Sequence, residues 1–258
     1  MRAIWTGAIG FGLVNIPVKL FSATQGSELD LDMLDKKDHA RIRFKRVNEE
    51  TGKEVAWENI VKGYDYNGKY IVLTDEDFEK ASPEKSKIIE INEFVNETDI
   101  ESIFFEVPYF MEPQKSGEKA YVLLREALKK TGKVGLGSFV MRSKAALCVL
   151  KPIENAIILN KIRFAQEIRD VNELNIPGKT TVKPAEMQMA TALINQLTGE
   201  FNIAKYKDDY SDQLLKLIQA KAKGKKIATP HLRVVHSKTK DLMSQLKASL
   251  DVKKKKAS

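Results

Sequence analysis

The sequence predicts an α+β protein, with a mainly antiparallel β body first and a helical arm second. Three observations carry this. Short runs rich in branched and aromatic residues fill the first half, an Asn67-Gly68 pair sits between two of them, and from Pro184 onward the apolar period changes from strand-like to helical. At 258 residues with 43% hydrophobic content, the chain has enough apolar surface for one large core or two smaller ones.

The opening stretch Ala3 to Phe21 reads as structure. Gly, Asn and Pro interrupt its apolar residues, unlike the unbroken run of a secretory signal, so it is expected to stay in the mature protein. Ile4, Thr6, Ala8 and Gly10 alternate with Trp5, Gly7 and Ile9, and Gly10-Phe11-Gly12 supplies a bend before Val14 to Val18 resumes. Two core strands of a bent sheet or barrel fit this pattern, with Pro17 at an edge or bulge. Gly7 to Gly12 misses the G-x-G-x-x-G spacing of a dinucleotide loop.

Further strands are expected at Arg41 to Val47, Ile60 to Tyr66, Tyr70 to Leu73, Lys87 to Val95 and Ile103 to Met111. Asn67-Gly68 predicts a type I′ hairpin, because both residues tolerate positive φ. Thr74 followed by Asp75-Glu76-Asp77 marks a capped short helix ending before Ser82-Pro83. A longer helix should run from Ser116 to Gly132, burying Tyr121, Leu124, Ala127 and Leu128. Strands return at Leu136 to Arg142, Ala145 to Leu150 and Ala156 to Leu159. Met187, Ala190, Ile194 and Leu197 make one helical face, and Tyr210, Leu214, Leu217, Ile218 and Lys221 the next. Residues 222–226 read as a linker, followed by Leu242, Leu246 and Leu250 at helical spacing and a closing Lys253-Lys254-Lys255-Lys256.

The single cysteine, Cys148, lies in an apolar run and excludes an internal disulfide framework. With no apolar stretch approaching a membrane span, a reducing, cytoplasmic setting is expected. The three histidines, His39, His231 and His236, miss the i, i+4 placement of a zinc pair. Gly178-Lys179-Thr180 lacks the upstream glycine of a P-loop, since Glu173 stands there. No paired carboxylates stand out for acid/base work, so neither an enzyme nor a cofactor is expected.

The net charge of +8 is uneven. Residues 214–258 hold 13 Lys or Arg against Asp241 and Asp251, giving +11, and the other residues sum to −3. A basic surface on the body must therefore be a local patch. Lys36-Lys37-Asp38-His39-Ala40-Arg41-Ile42-Arg43-Phe44-Lys45-Arg46-Val47 is the candidate. As a strand it would project Arg41, Arg43 and Lys45 from one face at about 6 to 7 Å intervals, with Ile42 and Phe44 anchoring the other. That row suits successive phosphates of a DNA strand. It equally describes a solvated edge strand kept from aggregating by its charges. Arg142-Ser143-Lys144 and Lys161-Ile162-Arg163 repeat the cation-x-cation spacing.

With these residues in view, the chain resembles the prokaryotic Ku family, the DNA-end-binding proteins of bacterial non-homologous end joining. The resemblance runs through most of residues 1–225, and its most specific parts are Ala3 to Gly7, Gly10 to Leu20, Arg41 to Val47, Ile60 to Tyr64 and Val72 to Asp77. It implies a β-barrel with a long two-stranded excursion over roughly residues 36–73, and a homodimeric ring through which double-stranded DNA is threaded. On this basis Lys36, Lys37, Arg41, Arg43, Lys45 and Arg46 face the DNA backbone, with Arg142, Lys144 and Lys62 as further lining residues and Lys253, Lys254, Lys255 and Lys256 as possible tail contacts. Residues 1–183 would form the core, 184–226 the dimerising arm and 227–258 a basic tail that recruits the ATP-dependent ligase. The alternative is a general, sequence-independent DNA-binding or nucleoid protein without preference for ends.

Overall fold

In the computed structural model, which describes residues 1–81, 87–142, 144–178, 180–225 and 246, seven strands close into a barrel. In chain order the elements are β1 (Trp5–Phe11), β2 (Val14–Ser22), β3 (Lys62–Tyr66), β4 (Lys69–Leu73), α1 (Asp75–Ala81), β5 (Ile88–Asn96), β6 (Phe105–Pro113), α2 (Glu118–Thr131), β7 (Lys133–Met141), β8 (Lys144–Ile153), β9 (Ala156–Ile162), α3 (Pro184–Leu197) and α4 (Asp209–Ala222). Around the barrel the order is β1-β2-β6-β9-β8-β7-β5, while β3 and β4 form a separate two-stranded sheet. The chain groups into two compact units, Met1–Gly26 with Asp32–Asp170, and Ser27–Leu31 with Val171–Ser258.

The barrel is antiparallel except at its closure, where β1 and β5 run parallel through Ala8↔Ile88, Ile9↔Ile89 and Gly10↔Glu90. Strand alternation turns Ile9, Ile16, Val18, Leu20, Ile89, Leu150, Ile157 and Leu159 inward to full burial. Cys148 is buried with them, and burial pushes its thiol well above the ordinary range. It fills core space.

Pro17 occupies neither an edge nor a bulge. It pairs with Ala8 of β1, and on its other side lies one residue beyond the Val18↔Pro113 pair that ends the β2–β6 ladder. There its carbonyl accepts from the Gln114 N–H at 2.8 Å, and Gly117 packs against the ring so closely that a Cβ would lie 2.9 Å from Pro17 Cδ. The missing donor falls where the ladder stops.

A 3₁₀ turn at Lys115–Gly117 takes up the expected start of the second helix, so α2 begins at Glu118, and Gly132 closes it at φ +64°. Tyr121, Leu124 and Leu128 are buried as their spacing predicts, whereas Ala127 is exposed. The Tyr121 hydroxyl donates to the Met111 carbonyl and accepts from the Ile157 N–H, each at 2.7 Å, which ties α2 to β6 and β9.

The strand registers give the barrel two distinct ends. Trp5↔Leu20, Phe105↔Ile162 and Met141↔Lys144 mark one, and β5 begins there at Ile88. Residues 23–87 leave the barrel at that end after β2 and return to it at β5, making it the excursion end. The opposite end carries the Phe11↔Val14 and Ile153↔Ala156 hairpin closures and the connection through α2.

In the other unit, Pro184 opens α3 at a position where a missing donor costs nothing, and the Asp208 carboxylate caps α4 by accepting from the Tyr210 and Ser211 N–H groups. Neither helix buries a residue. Met187, Ile194 and Leu197 on α3 and Tyr210, Leu215 and Ile218 on α4 are exposed. Among the described residues no helix is long and apolar enough to cross a membrane.

Candidate nucleic-acid interface

The excursion holds most of the candidate cations. Its segment Arg41 to Val47 is not a strand. Among the described residues its backbone pairs through two isolated bridges, Leu34↔Arg41 and Val47↔Glu54. The cause is local turn chemistry on both sides. Asp35 accepts from the Lys37 N–H and Asp38 from the Ala40 N–H, with His39 at φ +59°. Beyond Val47, Asn48 Oδ1 accepts from the Glu50 and Thr51 N–H groups, and Gly52 adopts φ +65°. These short polar side chains draw the backbone into tight turns, so no long ladder forms. Ile42 and Phe44 accordingly do not anchor a face: Phe44 is 79% exposed and Ile42 46%.

The cations themselves are all exposed. Arg41 Nη2 lies 2.7 Å from Asp32 Oδ2, and Lys45 Nζ lies 2.6 Å from Glu54 Oε2. The Arg46 guanidinium sits 4.5 Å above the Trp57 ring centroid. Arg43 has no ion pair or hydrogen bond among the described residues. Lys36 and Lys37 stand in the first turn, exposed. Both ion pairs face solvent, so each is worth about 0 to 1 kcal/mol and yields readily to a phosphate.

The hairpin forms where the sequence placed it. Asn67 and Gly68 take φ +54° and +81°, and Asp65 Oδ1 accepts from the Gly68 N–H at 2.8 Å. Its register puts Lys62, Tyr64 and Tyr66 on the same face as Lys69, Ile71 and Leu73. All but Leu73 are exposed. Lys62 Nζ lies 4.7 Å from the Phe78 ring centroid of α1. Lys69 joins this face opposite Tyr66. Cation-x-cation spacing does not single it out, although the turn alone fixes its register.

Arg142 and Lys144 sit at the excursion end of the barrel. Arg142 occupies the β7–β8 turn at φ +51°, Lys144 opens β8, and both are exposed. The excursion's two roots, Ser22 and Lys87, belong to the same end. The third cation pair has structural partners instead. Lys161 pairs with Glu106 at 2.9 Å, and Arg163 donates to the Ile103 and Phe105 carbonyls at 3.1 and 2.8 Å. Lys253 to Lys256, His231 and His236 lie outside the described residues. Among the described residues, no group of three or more His, Cys, Asp or Glu side chains could hold a metal ion.

The closed barrel has a family counterpart. Residues 10–191 fit the family model of the Ku70/Ku80 beta-barrel domain. The chain belongs to the Ku family. The non-homologous end joining protein Ku of Coxiella burnetii is 40% identical, over 98% of this chain and 96% of its own. That of Bacillus subtilis is 41% identical over 97% and 82%, and that of Archaeoglobus fulgidus 38% identical over 98% and 100%. The Ku match takes in the excursion as well as β2 to β9, so the cationic segment and the hairpin belong to the family's domain.

Proposed function

We propose that the protein binds the ends of double-stranded DNA without reading their sequence, as a homodimeric ring, in double-strand break repair by non-homologous end joining. It acts without catalysis: it holds the end, and residues 227–258 recruit and stimulate the ATP-dependent DNA ligase. The names of its relatives support the pathway. The observation that carries the reading is the excursion, residues 23–87, which leaves and re-enters the barrel at one end and bears Lys36, Lys37, Arg41, Arg43, Lys45, Arg46 and Lys62 in solvent.

Physical chemistry supports the ring. A two-stranded sheet is marginal alone in water, and among the described residues every position of β3–β4 but Leu73 is exposed, which supports its completion by a second copy or a duplex. The exposed apolar residues of α3 and α4 support an arm over residues 184–226 that closes on a second copy, leaving residues 1–183 as the core. Contacts go to phosphate and sugar, because a sliding ring that read bases would reject most breaks. On an end-labelled duplex, bound protein should block exonuclease digestion from that end on unrelated sequences alike. Unhindered digestion at saturating protein would contradict the reading.

A further inference from the structure

The barrel wall has a notch at the end away from the excursion. β1 accompanies β5 only as far as Gly10↔Glu90 before the chain turns at Gly12. On that side Ile91 to Asn96 have no strand partner among the described residues, while their other edge pairs with β7. A bulge between Ile91 and Glu93 resets the alternation, so Val95 joins the cluster around Val134 and Phe94 faces an apolar cavity of about 550 Å³. Phe11, Val14 and Phe94 wall it from the strands, and Leu123, Leu124 and Ala127 from α2. Lys133 is the one charged residue in its lining. A second cavity of about 420 Å³ adjoins the same notch, bounded by Gly12, Leu13, Glu90 and Ile91.

We propose that this notch is a docking site for an extended peptide segment of a partner protein. The segment adds as a strand to Ile91–Asn96, seats a large apolar or aromatic side chain in the cavity, and places a carboxylate against Lys133 and a basic group near Glu90. The open row of β5 backbone groups selects an extended chain, since a helix would leave it unpaired. Glu90 and Lys133 stand at opposite ends of this edge, because Lys133 pairs with Asn96, and their opposite charges fix the direction in which the segment lies. The notch is at the opposite end of the barrel from the excursion that bears the proposed DNA contacts.

A display library of random eight-residue peptides, panned on the full chain, tests this against Leu123→Lys and Ala127→Trp. Leu123 is 71% exposed and Ala127 is exposed, so both variants should fold, the first placing a charge at the mouth and the second filling the cavity. Peptides enriched on the unmodified chain should combine an aromatic or branched anchor with one acid and one base. They should bind at least ten-fold more weakly to either variant and slow amide exchange at Ile91–Asn96, while DNA binding by the variants stays unchanged. Failure to enrich any peptide over the variants, or protection confined to other segments, would overturn the proposal. So would a fall of both variants from dimer to monomer in light scattering, which would assign the notch to a second copy.

Discussion

The indole N–H of Trp5 donates to the Val140 carbonyl at 3.1 Å, and so pins the first strand of the barrel to the hairpin whose turn carries Arg142. The Trp5 ring also meets Phe139 edge to face at 6.1 Å. Trp5→Phe keeps an aromatic ring and deletes the donor. It should cost about 0.5 to 1.5 kcal/mol in thermal unfolding and speed amide exchange at Arg142 and Lys144. Unchanged exchange there would mean that the turn is held by other contacts.

Asp77 reports on the cap of α1. Its carboxylate accepts from the Thr74 N–H at 2.9 Å and from the Thr74 hydroxyl at 2.8 Å, which holds it below its ordinary value of 3.8. A depressed folded-state value means that the contribution is full above the unfolded value and is lost as pH falls through the folded one. Carbon-detected NMR titration should therefore find Asp77 among the last carboxylates to protonate, with α1 loosening only as it does. Thr74→Ala deletes the hydroxyl but keeps the backbone donor, which is the larger cause, so Asp77 should rise only part of the way and stay below its ordinary value, while the lost cap destabilises α1 by about 1 kcal/mol.

Replacing Arg41, Arg43 and Lys45 by Ala should weaken DNA binding equally on unrelated sequences and lower the salt slope by about 0.9 per lost phosphate contact. The acids that hold two of these cations should act in the opposite sense. Asp32→Asn or Glu54→Gln frees Arg41 or Lys45 and should tighten binding by about two- to five-fold, the scale of an exposed ion pair. An unchanged slope in the triple variant would remove the segment from the interface.

On α3, Ile194 and Leu197 are 65% and 59% exposed, and no residue of the helix is buried. Ile194→Asp should shift the protein from dimer to monomer in light scattering and leave the melting of the barrel within about 1 kcal/mol of the unmodified chain. A dimer that survives the change would place the subunit interface elsewhere.

Features set by local chemistry were legible in the sequence. Asn67-Gly68 fixed the hairpin, Gly132 the end of α2, and Thr74 the start of α1. Long-range pairing was not. Nothing near Ala8 announces a parallel partner at Ile88, across the whole excursion, and the remote Glu106 and the Ile103 and Phe105 carbonyls that occupy Lys161 and Arg163 are equally invisible to a search by spacing. The segment Arg41 to Val47 departs from the expected strand for a different reason. Alternation is necessary for a strand but not sufficient, and Asp35, Asp38 and Asn48 satisfied the neighbouring backbone in turns first.

Recognition of an end by threading is a matter of topology, so binding to a linear duplex should be compared with binding to a covalently closed minicircle of the same sequence, at near-physiological salt. A threading ring should bind strongly to the linear form alone; equal affinity for both would rule threading out and leave a basic, sequence-independent DNA binder without preference for ends.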